Sequence, residues 1–401
     1  MSEKTKVLME FETFGQTAQM NYNSLTAMAE IYPMEIRAVK TKRICAKDIM
    51  WCDIVISVRG MSCFTTYIAQ LCKKYGRPHI YLLDDNLFVL DRKDRFMVRR
   101  QKELQKTLDA TAILWSPNPL LIEYVCSRSS VNRSACTGWI VPENALNENF
   151  YGCDTEFRIA YYSNDGSSTY FWNILGQVLP RLKGRVDKKV TVEVIGMHDT
   201  GERLDGCNMV FVPHMSLVEF RRYLANGGFH VGLAPLIKDD GFSKYKYANK
   251  FFELTMAGIV GIYSNCPPNT FVVQDGYNGF LVENTPKEWL EALEIVAKNP
   301  RKAEECLVHA QEKLKEEHYP SAVYKSIVEQ IPELVSYHAP KVKIHSLLPG
   351  QIKFFVFRTL EKLNSFMEAL RRGGMQEALK KTKRFISSMR GMRNELQENR
   401  R

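Results

Sequence analysis

Lys246, Lys250 and Glu253 are spaced four and three positions apart in a stretch that reads as one short helix, so their side chains would share a face. Residue types at that spacing can do a defined piece of chemistry. The ammonium groups neutralise a diphosphate, and the carboxylate, two turns beyond Lys246, accepts hydrogen bonds from a ribose hydroxyl pair. The same spacing also suits an ordinary salt-bridged, solvated face, and spacing alone does not choose between the two.

The elements around this trio would place it well for anion binding. Residues 230–235 read as a buried strand, Ser243 as a helix cap, residues 244–257 as the helix, and Gly258 as its stop before a strand at 260–263. In an open α/β sheet such a helix starts at the carboxyl end of a strand, where ligands bind and where the helix amino terminus attracts negative charge. His79 and His230 read as core or loop residues.

The run Lys246-Tyr247-Ala248-Asn249-Lys250-Phe251-Phe252-Glu253, followed by Ala257-Gly258-Ile259-Val260, resembles the donor-site signature of family 4 of the GT-B glycosyltransferases. Gly232-Leu233-Ala234-Pro235-Leu236 upstream is similar to that family's strand into the donor loop. Asp275-Gly276-Tyr277-Asn278-Gly279-Phe280-Leu281-Val282 downstream is similar to its turn and closing strand, with Trp289 and Leu293 continuing the match. Far from these, His79-Ile80-Tyr81-Leu82-Leu83-Asp84-Asp85-Asn86-Leu87-Phe88 resembles the acidic strand-end motif of surface-polysaccharide members. The likeness spans roughly residues 50–330.

The resemblance implies an α/β chain of GT-B architecture with two Rossmann-like domains facing a cleft. Residues 1–150 would form the acceptor domain, 156–335 the nucleotide-sugar donor domain, and 336–401 a basic amphipathic helical tail. It implies a retaining glycosyltransferase that moves a sugar from a nucleotide-sugar donor to a polysaccharide or lipid-linked glycan acceptor. Lys246, Glu253 and Arg59 would carry catalysis, and Ser163, Asn164, Asp165, Lys244, Tyr245, Asn249 and Lys250 would bind the donor. Asp84 and Asp85 are cleft carboxylates without an assigned role. With Lys246 offsetting the charge that grows on the departing diphosphate, neither a metal ion nor a cofactor is called for.

Three positions depart from the family pattern. Tyr245 stands where many members carry the first of two glutamates eight positions apart, which leaves the donor-sugar contacts open. The loop Ile159-Ala160-Tyr161-Tyr162-Ser163-Asn164-Asp165-Gly166 lacks the paired glycines and any Lys or Arg, and Leu82 replaces an Asp. Two other classes therefore stay in view: a sugar-nucleotide epimerase of the same fold, and an inactive membrane-associated scaffold for glycan assembly. A metal-binding reading of Asp84-Asp85-Asn86, as in GT-A enzymes, also stays open.

Composition fits this frame. The 401 residues are 45% hydrophobic and 25% charged, ordinary for globular chains and enough for two full cores. Ten cysteines include no C-x-x-C pair, which argues for reduced thiols over a disulfide framework or zinc site. No secretory or membrane-spanning stretch is evident, so a cytoplasmic protein is expected.

The tail differs from the body. Residues 341–401 hold 15 Lys/Arg against 5 Asp/Glu, and the rest of the chain balances at 40 of each, so the whole net charge of +10 resides there. Ile352, Phe355, Val356, Leu363, Phe366, Met367 and Leu370 form one helical stripe. Phe385, Met389 and Met392 form another beside Lys380, Lys381, Lys383 and Arg384. Such stripes suit an anionic bilayer at the inner membrane face, or equally a dimer or the protein's own body. Nucleic acid is not the expected partner, because it would leave the apolar stripe unexplained. The oligomeric state is not legible.

Overall fold

The computed structural model describes residues 3–341 apart from 91–94, 153–154, 164–170 and 239–240, then 352–357 and a few single positions and short pieces up to 379. The amino-terminal elements are β1 (Thr5–Phe11), α1 (Gln16–Ile31), β2 (Met34–Lys40), α2 (Ala46–Trp51), β3 (Ile54–Val58), α3 (Cys63–Lys74), β4 (His79–Leu82), α4 (Arg95–Asp109), β5 (Ile113–Trp115), α5 (Pro119–Cys126) and β6 (Ser134–Ala135). After them come β7 (Glu156–Tyr162), α6 (Gly176–Leu182), β8 (Lys189–Ile195), β9 (Asn208–Val212), α7 (Leu217–Asn226), β10 (Val231–Ala234), α8 (Asn249–Met256), β11 (Val260–Ser264) and β12 (Phe280–Val282). The helices α9 (Pro286–Lys298), α10 (Pro300–His318), α11 (Pro320–Gln330) and α12 (Glu333–Ser336) follow.

Strands alternating with helices require crossover connections, and crossovers make parallel sheets. Two six-stranded sheets result, ordered β2-β1-β3-β4-β5-β6 and β12-β11-β10-β7-β8-β9. β3, β4 and β10 are buried along their whole length, as strands covered on both faces must be. In the second sheet the order reverses between β7 and β10, which pair in parallel through Val231 and Ile159. That reversal leaves a crevice at the carboxyl ends of the two strands.

The chain packs as two compact units. One comprises Met1–His79, Lys102–Thr111 and Ser336–Arg401, and the other Ile80–Gln101 and Ala112–Val335. In the first unit a core of Leu8, Ile49, Val55, Phe64 and Ile68 takes in Phe354 from beyond the last helix of the body. Phe354 is 1% exposed, with its ring 5.1 Å from that of Tyr67. Ile352, Phe355 and Val356, three residues of the stripe read from sequence, face outward at 57%, 68% and 43% exposure. The start of the tail is thus part of the fold, held by the one aromatic outside the stripe. Phe354→Ala is expected to destabilise this unit by about 3–5 kcal/mol, read as a lower urea midpoint.

In the second unit, Trp289 and Leu293 of α9 are fully buried beneath the second sheet. Gly258 ends α8 in the left-handed region at φ 78°, and a Cβ there would stand 2.8 Å from the carbonyl oxygens of Asn147 and Asn149. Gly258→Ala should therefore lower the melting temperature through both the strained backbone, about 1–2 kcal/mol, and the clash with main chain that cannot swing away.

Candidate functional site

Lys250 sits in the first turn of α8 and reaches the carboxyl end of β7. Its Nζ lies 4.8 Å from the ring centre of Tyr161 and 5.0 Å from that of Tyr162. Ring faces attract a cation but hydrate it poorly. The side chain keeps some exposed surface while protein surrounds its ammonium end on most sides. Burial, with the nearby charge of Lys246 adding to it, brings Lys250 from its ordinary 10.5 down to about 7. A cation held so weakly gains most from an anion placed beside it.

That pKa has a measurable consequence. Diphosphate binding would raise it again, so between the free and bound values binding takes up a proton. Affinity for a nucleoside diphosphate should fall as pH rises above about 7, by up to about tenfold per pH unit. Calorimetry in buffers of different ionisation enthalpy would report the proton uptake directly.

The helix expected over residues 244–257 is not continuous. Ser243–Tyr245 form a single 3-10 turn, Lys246 is extended at φ −70° and ψ 166°, and α8 begins only at Asn249. Lys246 therefore does not share a helical face with Lys250 and Glu253. The cause is Asn118, the cap of α5. Its Nδ2 donates to the carbonyls of Lys244 at 3.0 Å and Lys246 at 2.7 Å, while its Oδ1 accepts from the amides of Leu120 and Leu121. A continuous helix would need the Lys246 carbonyl for the amide of Lys250. Tyr245, buried with its ring 5.0 Å from that of Tyr124, anchors the same loop, as does Tyr247, whose hydroxyl accepts from the Trp139 amide at 3.0 Å. Lys246 still approaches the site by another route, its Nζ 4.9 Å from the ring centre of Phe242.

Glu253 lies one turn beyond Lys250, and its side chain is 12% exposed. Both of its oxygens accept from Arg221 of α7: Nε reaches Oε2 at 3.0 Å and Nη2 reaches Oε1 at 2.8 Å. Arg221 was not among the residues read from sequence, since nothing in the local pattern of α7 marks it. Phe220 beside it packs its ring 4.8 Å from Tyr162, so α7, α8 and the end of β7 converge on one small region.

The remaining sequence-derived residues are distributed as follows. Ser163 directly follows β7, its amide bonded to the carbonyl of Ile195 at 3.1 Å, and Gly196 leaves room for it because a Cβ there would lie 2.5 Å from the Ser163 carbonyl. Asn164 and Asp165 lie outside the described residues. Lys244 and Asn249 are exposed on the loop and at the start of α8. Asp84 and Asp85 are half-buried just after β4, ahead of a turn capped by Asn86. Arg59 is built into the other unit, at the end of β3, with φ 54° and its Nη1 3.4 Å from the Thr17 hydroxyl. A left-handed arginine at a strand end is a strained conformation of the kind that collects at functional loops. His79 and His230 are buried and hydrogen-bonded within the core, His79 to Ser57 and Thr111, and His230 to the Arg158 amide. Among the described residues no cluster of His, Cys, Asp and Glu is arranged to hold a metal ion, and no helix is long and apolar enough to cross a membrane.

No protein-family model and no curated protein matches the sequence. Solved structures do match the fold. A glycosyltransferase from Rickettsia africae ESF-5 superposes with a TM-score of 0.64 at 10% identity, over 84% of this chain and 100% of that one. The Anabaena HepE structure in complex with UDP and glucose gives 0.56 at 11% identity, over 83% and 100%. The lipopolysaccharide outer core galactosyltransferase WaaB in its apo form gives 0.55 at 11%, over 82% and 99%. The chain has the GT-B fold. Within this GT-B chain, the Lys250 region occupies the switch point of the second Rossmann-like sheet, where that architecture places a ligand.

Proposed function

We propose that this chain is a glycosyltransferase that takes a sugar from a nucleotide-sugar donor and passes it to a polysaccharide or lipid-linked glycan. The observation that carries the reading is the position of Lys250: a poorly solvated ammonium over Tyr161 and Tyr162, at the sheet reversal and in the first turn of α8. The arrangement suits stabilisation of a leaving diphosphate. As the glycosidic bond to the donor breaks, negative charge builds on the pyrophosphate, and Lys250, Lys246 and the amino terminus of α8 offset it without reorganising. Metal-independent catalysis is proposed because these protein cations do that work. Retention at the anomeric carbon is proposed from the family resemblance, with Arg59 at the strained end of β3 as a candidate contact.

The neighbour bound to UDP makes uridine diphosphate sugars the first donors to test. A thermal-shift screen of nucleotide sugars, followed by product analysis, tests the proposal. Release of nucleoside diphosphate together with a glycosylated acceptor supports it. Conversion of the donor into a different nucleotide sugar would point to an epimerase, and no donor binding or hydrolysis would point to a scaffold.

The acceptor side of the proposal places the enzyme on the cytoplasmic face of an anionic membrane. Exposed Ile352, Phe355 and Val356, next to a segment that holds the chain's entire net charge of +10, support this. Changing these three residues to serine should release the protein from phosphatidylglycerol vesicles in flotation assays while activity on a soluble acceptor persists. Truncation at 341 is the wrong test, because it would remove Phe354 from the core.

A further inference from the structure

We propose that Arg221 is a positioning residue that fixes Glu253 for a ribose diol and so makes the site discriminate ribonucleotides from 2′-deoxyribonucleotides. The inference rests on the donor-site reading above. Arg221 and Glu253 meet fork to fork, with two parallel N–H···O bonds of 3.0 and 2.8 Å. Such a pair is planar and directional, unlike a single-point contact from lysine. It engages one lone pair on each carboxylate oxygen and leaves one on each free. Those two remaining acceptor sites sit side by side, at a spacing that the adjacent 2′ and 3′ hydroxyls of a ribose can meet together.

The surroundings fit this role better than that of a simple strap. A solvated strap between helices would leave the carboxylate outside the site, whereas Glu253 follows Lys250 by one helical turn. The Lys250 carbonyl also lies 3.4 Å from the Tyr162 hydroxyl at the end of β7. Arg221 is anchored from its own side: α7 is started by a capping box in which Ser216 and Glu219 bond reciprocally, and Phe220 packs on Tyr162. The carboxylate is consequently held in one orientation before any nucleotide arrives. Glu253 also strengthens the hold of Arg221 on its proton, and the fork stays charged under all working conditions. The chain lacks basic residues in the loop after β7, and Arg221 additionally brings a cation into the region where that loop begins.

Calorimetry with UDP and 2′-deoxy-UDP on wild type, Arg221→Met and Arg221→Lys tests the inference. Wild type should prefer UDP by about 10-fold or more, the worth of one charge-assisted hydrogen bond. Arg221→Met should bring the two nucleotides within about 3-fold of each other, and Arg221→Lys, which keeps the charge but not the fork, should lose most of the preference. A merely structural arginine would weaken both nucleotides equally and leave their ratio unchanged. An unchanged ratio in either folded variant overturns the inference while the donor site stands. Wild type that binds neither nucleotide overturns the donor-site reading and the inference with it.

Discussion

Lys250→Met lowers kcat/KM for sugar transfer by about 10²–10³-fold, the usual cost of removing one preorganised group that stabilises transition-state charge. The loss falls mainly on kcat, because the charge it offsets grows as the leaving group departs. The fold does not suffer in parallel. A lysine whose folded pKa is depressed to about 7 from 10.5 costs stability below pH 7, and that cost is released as pH rises between those two values. Methionine keeps the chain length and carries no charge, so Lys250→Met should melt no lower than wild type at pH 7 and lose the rise in stability between pH 7 and 10.5. Paired activity assays and pH-dependent melts check both parts. A variant that is fully active, or one that is inactive because it is unfolded, would contradict the assignment.

Glu253→Ala is expected to act on binding and stability together. It removes the ribose acceptor and leaves the Arg221 fork without its partner. Each hydrogen bond to a charged group contributes about 1.5–3 kcal/mol, so nucleotide affinity should drop about 10–100-fold after partial compensation by water. The pair is only partly shielded, with Arg221 at 36% and Glu253 at 12% side-chain exposure. The stability cost should lie between the surface and buried limits, at about 1–2 kcal/mol. Glu253→Gln separates the effects, because it retains the shape and one acceptor oxygen but not the charge. Titration calorimetry and urea unfolding of the two variants report the two losses independently.

Much of the architecture was legible because its signals are local. Gly258 announced a left-handed helix end, the strand at 230–235 appeared as β10, and the apolar face carrying Trp289 and Leu293 lies in the core. The misread segment, 243–248, shows where such signals stop. Ser-Lys-Tyr-Lys-Tyr-Ala has acceptable helix propensity, yet the Asn118 amide, 126 and 128 positions earlier, takes the carbonyls of Lys244 and Lys246 and so breaks the helix. Arg221 was invisible for the same reason, since its partner lies 32 positions downstream on another helix. In the tail, periodicity found the stripe of Ile352, Phe355 and Val356 but not that it faces outward. Which face of a helix finds a partner depends on the surface it meets, here Tyr67 and Phe64 receiving Phe354.

The claim on which the rest depends is that the end of β7 and the start of α8 hold the pyrophosphate of a nucleotide sugar. A crystal structure of the protein with bound UDP tests it most directly. The expected result is a diphosphate oxygen within about 3 Å of the Lys250 Nζ, with the ribose hydroxyls on Glu253. A diphosphate bound elsewhere on the molecule, with Lys250 still covered by Tyr161 and Tyr162 and nothing at its ammonium, would contradict it.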